Sequence, residues 1–287
     1  MNSSAEPFID LAAVAAADRD IARYAASLDC RDVPYDGGTV RWYGAGQGSP
    51  LVLFHGGHGR WLHWIRNVDA LAASHRVWVP DLPAFGASST LPPPESLPQL
   101  VQAAIATLDQ LVGADTEIGL TGFSFGGVAA ANVALQRGGV SRLALLGSGG
   151  HGTPRRQQLP MLSWRDAAGE ADMLSKLHNN LRSLMLHDEA AIDAQALAIH
   201  RDACLNTRFR SKGLSQGGSA KAVVAQLRMP MLLLWGEHDV TAEPAVAIAA
   251  MGAGRPERRG EVIAGAGHWA QYERAEAVNR ALLAFFD

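Results

Sequence analysis

One serine stands between two aromatics and two glycines in Gly122-Phe123-Ser124-Phe125-Gly126, a G-x-S-x-G pattern. With 30 glycines in 287 residues, such a pentapeptide arises easily by chance. Its weight comes from its surroundings: an apolar run, Ile118 to Leu120, lies before it, and Val128-Ala129-Ala130-Ala131 lies after it. At a sharp strand-to-helix turn a serine is held on a strained backbone with its Oγ presented outward, and glycines on either side let neighbouring chain approach. A serine hydroxyl is a weak nucleophile near neutral pH and needs an adjacent base. Among ten histidines the candidate base is His268, in the glycine-flanked stretch Gly265-Ala266-Gly267-His268-Trp269. An imidazole base needs an acid to fix its tautomer and stabilise the imidazolium. Asp239 is preferred, in a turn just after the apolar run Met231 to Trp235, over its neighbours Glu237 and Glu243. Acyl transfer also needs donors aimed at the developing oxyanion. The N–H of Phe125 is one, and the N–H of Gly57, in His55-Gly56-Gly57-His58-Gly59, is the other.

That glycine-rich loop has two rival readings. A phosphate loop would need a lysine or G-x-G-x-x-G spacing, and neither is present. The closeness of His55, His58 and His63 invites a metal, but no carboxylate or cysteine sits beside them at ligand spacing. His55, followed at once by Gly56-Gly57, is read as shaping the loop. The chemistry calls for no metal and no cofactor.

These residues must be carried by regular elements. Leu51 to Phe54, Val77 to Val79, the stretch at Ile118, Arg142 to Gly147, Met231 to Trp235 and Glu261 to Gly265 are short apolar runs. Strands without internal alternation are buried on both faces, the mark of a parallel sheet. Helical patterns alternate with them, at Pro98 to Val112, Val128 to Leu135, Glu243 to Met251 and Ala275 to Phe286, which predicts an open α/β sheet. Ligands in such sheets bind beyond the carboxyl ends of the strands, where Gly57, Ser124, Asp239 and His268 stand. Asp36-Gly37-Gly38 is a hairpin signal between two further strands, and Phe8 to Leu28 reads as an alanine-rich helix. The stretch 149–226 breaks the rhythm: it offers helices at Ala171 to Leu186 and Glu189 to Leu205 and no buried strand. The expected organisation is an N-terminal helical extension (1–28), a core (29–148 and 227–287) and a helical cap inserted between two strands of one sheet (149–226).

A net charge of −3 with a pI near 6.4 gives no electrostatic case for nucleic acid or an anionic membrane surface. The N-terminal residues lack a basic leader pattern, and their apolar run is cut by Asp18, Arg19 and Asp20, so the expectation is a cytoplasmic protein with no membrane span. Cys30 and Cys204 are too few for a disulfide framework and are read as buried thiols.

Together, "LVLFHGGHG", "VPDLPAFGAS", "GFSFGG", "WGEHDVTAEP" and "GAGHWAQYE" resemble the α/β-hydrolases, over about Asp36 to Phe286. The order Ser, Asp, His is that of the superfamily. The resemblance implies a mostly parallel eight-stranded sheet flanked by helices, with a helical cap. Within the superfamily the "HGG" loop and the ending "GHWAQYERAEAVNRALLAFF" resemble the meta-cleavage product hydrolases, which break a carbon–carbon bond in vinylogous diketones. By that resemblance Ser124, Asp239 and His268 take the triad places, Gly57 and Phe125 the oxyanion places, and Gly56, Phe123 and Trp269 border the substrate pocket. It also implies a small-molecule substrate and a tendency to form homodimers. Two departures stand out: Phe123 where that group commonly has asparagine, and His58-Gly59 where its loop continues through glycine and proline. A cap arginine would bind the substrate's acid end, with Arg201, Arg208 and Arg210 as candidates. Epoxide hydrolases and haloalkane dehalogenases carry an aspartate nucleophile, which Ser124 argues against. The expected activity is hydrolysis of a small, largely apolar ester through an acyl-enzyme. Carbon–carbon hydrolysis is the alternative, and a ligand receptor on the same fold is the alternative from another class.

Overall fold

The computed structural model describes residues 9–252 and 254–287. Phe8, the expected start of the first helix, lies outside the described residues, as does the rest of 1–8. Among the described residues the strands are β1 (Asp29–Tyr35), β2 (Gly38–Ala45), β3 (Pro50–Phe54), β4 (Arg76–Pro80), β5 (Ile118–Phe123), β6 (Val140–Leu146), β7 (Met231–Gly236) and β8 (Arg258–Ile263). They form one sheet in the order β1-β2-β4-β3-β5-β6-β7-β8. β1 and β2 run antiparallel to their neighbours, and every pairing from β4 through β8 is parallel. This is the expected α/β-hydrolase architecture, and the hairpin turns at Asp36-Gly37, with Gly37 at φ +107°.

The helices are α1 (Leu11–Ser27), α2 (Val68–Ala72), α3 (Leu97–Val112), α4 (Phe125–Arg137), α5 (Glu170–Asn180), α6 (Ala194–Leu205), α7 (Lys212–Ser215), α8 (Ser219–Val224), α9 (Pro244–Gly252), α10 (Ala270–Glu273) and α11 (Ala275–Phe286). Successive strand side chains point to opposite faces of the sheet, so each strand feeds two cores. Val52, Phe54, Leu120, Leu145 and Leu233 pack with α3, α4 and α9. Leu51, Leu53, Leu146, Leu232 and Leu234 pack with α2, α11 and the helices α5 and α6.

Between β6 and β7 the chain adds no strand to the sheet. The segment does not act as one packing unit, however. Its first part, α5 and α6, sits over the sheet's second face, where α1 packs on α6. Its last part drops to the other face, where Ala220 and Val224 of α8 join the cluster of α4 and α9. The expected helix at Glu189 to Leu205 is interrupted: Asp193 turns its carboxylate to the N–H of Ala196 at 2.8 Å and starts α6 afresh. A side chain that caps in this way competes with continuous helix. The expected helix at Ala171 to Leu186 ends in a π-turn over Leu181–Met185. Only Cys204 is a buried thiol; Cys30 is exposed, because β1 is the edge strand and turns that side chain outward.

Candidate active site

β5 ends at Phe123 and α4 begins at Phe125, so Ser124 alone makes the turn. It does so at φ +53°, ψ −118°, a left-handed backbone that side chains rarely adopt. The turn is held from outside, since the Ser124 N–H donates to Leu146 O at 2.9 Å and its carbonyl accepts from Gly149 N at 2.9 Å. Crossing chain explains one glycine in particular. A Cβ on Gly126 would lie 2.4 Å from His55 O and 2.6 Å from Phe54 O, so the helix start and β3 could not approach with any side chain there. α4 therefore starts three residues earlier than its small-residue run suggests.

The sheet gathers the ends of β5, β7 and β8. His268 Nε2 lies 3.0 Å from Ser124 Oγ, and His268 Nδ1 lies 2.8 Å from Asp239 Oδ2. The other carboxylate oxygen of Asp239 accepts from the backbone N–H and the hydroxyl of Thr241, both at 2.7 Å. Asp239 is wholly buried, and burial by itself pushes its carboxyl up. The neighbouring His268 charge and the bonds from His268 and Thr241 outweigh that, and its pKa is held below the usual carboxylate value. The carboxylate is thus ionised and fixed in one orientation. Glu237, its rival, is turned away: its carboxylate accepts from the N–H of Gly265 at 2.9 Å and is solvated.

The loop that carries His268 is pinned to the segment between β6 and β7. The Trp269 N–H donates to Met185 O at 2.7 Å. The buried carboxylate of Glu273 accepts from the N–H groups of Gly267 at 2.6 Å, His187 at 2.9 Å and Asp188 at 2.5 Å. Sequence reasoning missed Glu273; a carboxylate at the start of a C-terminal helix reads as ordinary helix polarity.

Phe125 follows the serine directly, and the glycine loop comes up against both: a Cβ on Gly56 would lie 3.2 Å from Ser124 Cβ. A Cβ on Gly57 would lie 3.6 Å from Phe125 Cβ and 2.4 Å from Ser211 Oγ, so Ser211, unnoticed in the sequence, closes over this loop. Neither the Gly57 nor the Phe125 N–H has a protein acceptor among the described residues. Phe123 is buried with its ring 4.9 Å from His268 and against Gly56. Trp269 is also buried: its Nε1–H donates to His63 O at 2.9 Å, and its ring stacks on Tyr272 at 4.2 Å.

Of the arginines expected near the substrate, Arg201 pairs with Asp18 at 2.5 Å and Glu170 at 2.7 Å. Arg208 donates to the carbonyls of Gly86 and Ser88. Arg210 is exposed, beside a groove of about 550 Å³ lined with Leu97, Pro98, Phe209 and Leu214. Among the described residues no helix is long and apolar enough to cross a membrane.

The model of the Alpha/beta hydrolase family matches residues 51–281. The chain is 32% identical over 262 residues to the dihydrolipoyllysine-residue acetyltransferase component of an acetoin cleaving system from Pseudomonas putida, covering 87% of this chain and 67% of that protein. It is 28% identical over 266 residues to a 2-hydroxy-6-oxo-6-phenylhexa-2,4-dienoate hydrolase from Burkholderia cepacia, covering 84% and 88%. A meta-cleavage product hydrolase from Pseudomonas fluorescens superposes with a TM-score of 0.73 at 20% identity, over 89% of this chain and 97% of that one, a likeness of fold. With four-fifths of its length matched by the family and the sheet order to go with it, the chain belongs to the alpha/beta hydrolase family.

Proposed function

We propose that the protein is a serine hydrolase that cleaves a small, largely apolar ester through an acyl-enzyme. One observation carries the reading: an unbroken hydrogen-bonded chain from Thr241 through Asp239 and His268 to a serine held at φ +53°. Ser124 Oγ attacks the ester carbonyl while His268 Nε2 takes its proton. Asp239 holds the imidazolium in place. The carbonyl oxygen, now negative, accepts from the N–H groups of Phe125 and Gly57, which have no protein acceptor among the described residues. His268 then gives its proton to the leaving alkoxide. Water, deprotonated by the same imidazole, releases the acid and restores Ser124. Residues of the segment 149–226, Ser211 among them, form the lid.

The apolar preference is supported by Leu159, Leu184, Met185 and Leu186, which line the cavity that reaches His268, and by the commitment of Arg201 and Arg208 elsewhere. A second reading, carbon–carbon hydrolysis of a dienol dione, is favoured by the name of the 28% identical relative. The test is a panel of p-nitrophenyl esters and carboxylated dienol diones, assayed on wild type and Ser124→Ala. Ser124→Ala should lose about 10⁴-fold or more in kcat on every substrate and escape a fluorophosphonate that labels wild type. Retention of a tenth of the activity would overturn the nucleophile. A dione kcat/KM tenfold above the best ester would give the second reading.

A further inference from the structure

The loop after β3 is held by two imidazoles whose tautomers the structure determines. His55 Nε2 receives the backbone N–H of Leu82 at 2.9 Å. A backbone N–H only donates, so Nε2 is the bare nitrogen and Nδ1 carries the proton. That Nδ1–H donates to Gly56 O at 2.8 Å. His63 is the opposite case. Its Nδ1 receives the Gly56 N–H at 3.2 Å, which leaves the proton on Nε2. Both rings are buried. Burial lowers the pKa of each, to about 4 for His55 and well below the usual value for His63, so both lone pairs are available at neutral pH.

Gly56 is therefore gripped on both sides, by its N–H and by its carbonyl. The peptide bond joining Gly56 to Gly57 is planar and trans, so the Gly56 C=O and the Gly57 N–H point in opposite directions. Fixing the carbonyl toward His55 turns the Gly57 N–H away from it, and that N–H has no protein acceptor among the described residues. Two consecutive glycines would otherwise leave this peptide free to rotate. His63 has a second connection: its own carbonyl accepts from Trp269 Nε1, next to His268. The grip on Gly56 and the loop of the base thus meet in one residue.

We propose that His63, together with His55, is a positioning residue for the oxyanion site, holding the Gly56–Gly57 peptide so that the Gly57 N–H meets the oxygen charged in the transition state. The inference rests on the serine-hydrolase reading. Neither histidine touches substrate in this role; each acts through the peptide it holds. An oriented donor matters most when charge develops, so the effect falls on kcat.

The experiment compares wild type, His63→Leu and His63→Asn on p-nitrophenyl butyrate, with an alkyl boronic acid as tetrahedral mimic. His63→Leu should lower kcat by roughly 30- to 300-fold, leave KM within about twofold, and weaken the boronate by a similar factor. His63→Asn, whose Oδ1 accepts the Gly56 N–H, should recover most of both. An unchanged kcat in His63→Leu, or a lower kcat with undiminished boronate affinity, would overturn the proposal. Imidazole ¹⁵N spectra of the wild type need no variant to fold. They should show His55 protonated on Nδ1 and His63 on Nε2, and the reverse in either ring would also overturn it. Fluorophosphonate labelling of wild-type Ser124 separates the two levels. Without it the hydrolase reading fails and the proposal with it; with labelling intact, a failure belongs to the positioning role alone.

Discussion

Replacing Asp239 by asparagine tests the hydrogen-bonded chain at its most constrained point. The carboxylate faces three donors: His268 Nδ1 at 2.8 Å on one oxygen, and the Thr241 N–H and hydroxyl at 2.7 Å on the other. The Thr241 backbone N–H cannot accept, so an asparagine must turn its carbonyl oxygen to Thr241 and its NH₂ to His268. Nδ1 of the imidazole then has to accept, and the proton moves to Nε2. That nitrogen lies 3.0 Å from Ser124 Oγ and now meets it as a donor, so it cannot take the serine proton. Fold and shape are kept; the base is lost. The expected loss is about 10⁴ in kcat, the size seen for the same substitution in a serine protease, or about 5.5 kcal/mol at 1.4 kcal/mol per decade. Glu237→Gln is the control, since its side-chain oxygen can still accept from Gly265 and the loss should stay within about twofold. The assay is kcat on a p-nitrophenyl ester, with a thermal melt to show that both variants fold. A loss under tenfold in Asp239→Asn, with the melt unchanged, would refute the tautomer argument; a larger loss in Glu237→Gln would show that the acid is misassigned.

Two further outcomes concern stability. The buried imidazoles of His55 and His200 have pKa values lowered from 6.5 to about 4 by burial, so between those values the unfolded chain binds more protons than the folded one. Stability is then fully present above about pH 6.5 and falls toward pH 4, by on the order of 3 kcal/mol for each of the two; urea unfolding at pH 7, 6, 5 and 4 reads it, and a flat profile would contradict the burial of these rings. Arg60 pairs with the wholly buried Asp81 at 3.1 Å and also with Asp202 of α6, so Arg60→Ala leaves a buried carboxylate without its counter-ion. It should cost about 3 kcal/mol in urea unfolding, and Arg60→Ala indistinguishable from wild type would mean that Asp81 is neutralised by other means.

Much of the fold was legible because a parallel sheet writes itself plainly. Its buried strands are apolar runs, its ligand-facing ends are the residues just after them, and that rule alone leads to Gly57, Ser124, Asp239 and His268. What could not be read was whatever depends on a side chain meeting backbone or a distant charge. Gly56 N–H finds His63 across a 3-10 turn at Trp61–Trp64, and neither the residue type nor the spacing of seven announces it. Asp193 sits in an alanine-rich pattern that reads as unbroken helix, although its carboxylate caps α6 and pairs with Arg66 at 2.7 Å. The helices α7 and α8 are too short for their few apolar residues to say which face of the sheet they join.

The arginines show why the substrate was harder to read than the chemistry. In the sequence Arg201, Arg208 and Arg210 are equivalent cations near the right place. In the fold, Arg201 bonds to Asp18 of α1, 183 residues away, and Arg208 to carbonyls 120 and 122 residues away. A guanidinium held in this way is part of the scaffold, and moving it to meet a substrate carboxylate would break bonds already made. The positions of Ser124, His268 and Asp239 are local consequences of strand ends, whereas pocket charge is decided by which cations remain unpaired after folding. Of these three, Arg210 alone makes no side-chain hydrogen bond among the described residues, and it borders the groove at Phe209 and Leu214. Arg182, which the sequence did not single out, lines the cavity that reaches His268 and makes no side-chain hydrogen bond among the described residues. The charge argument for an apolar ester therefore rests on the commitment of Arg201 and Arg208 alone, and it is decided by whether an anionic substrate is turned over better than a neutral one.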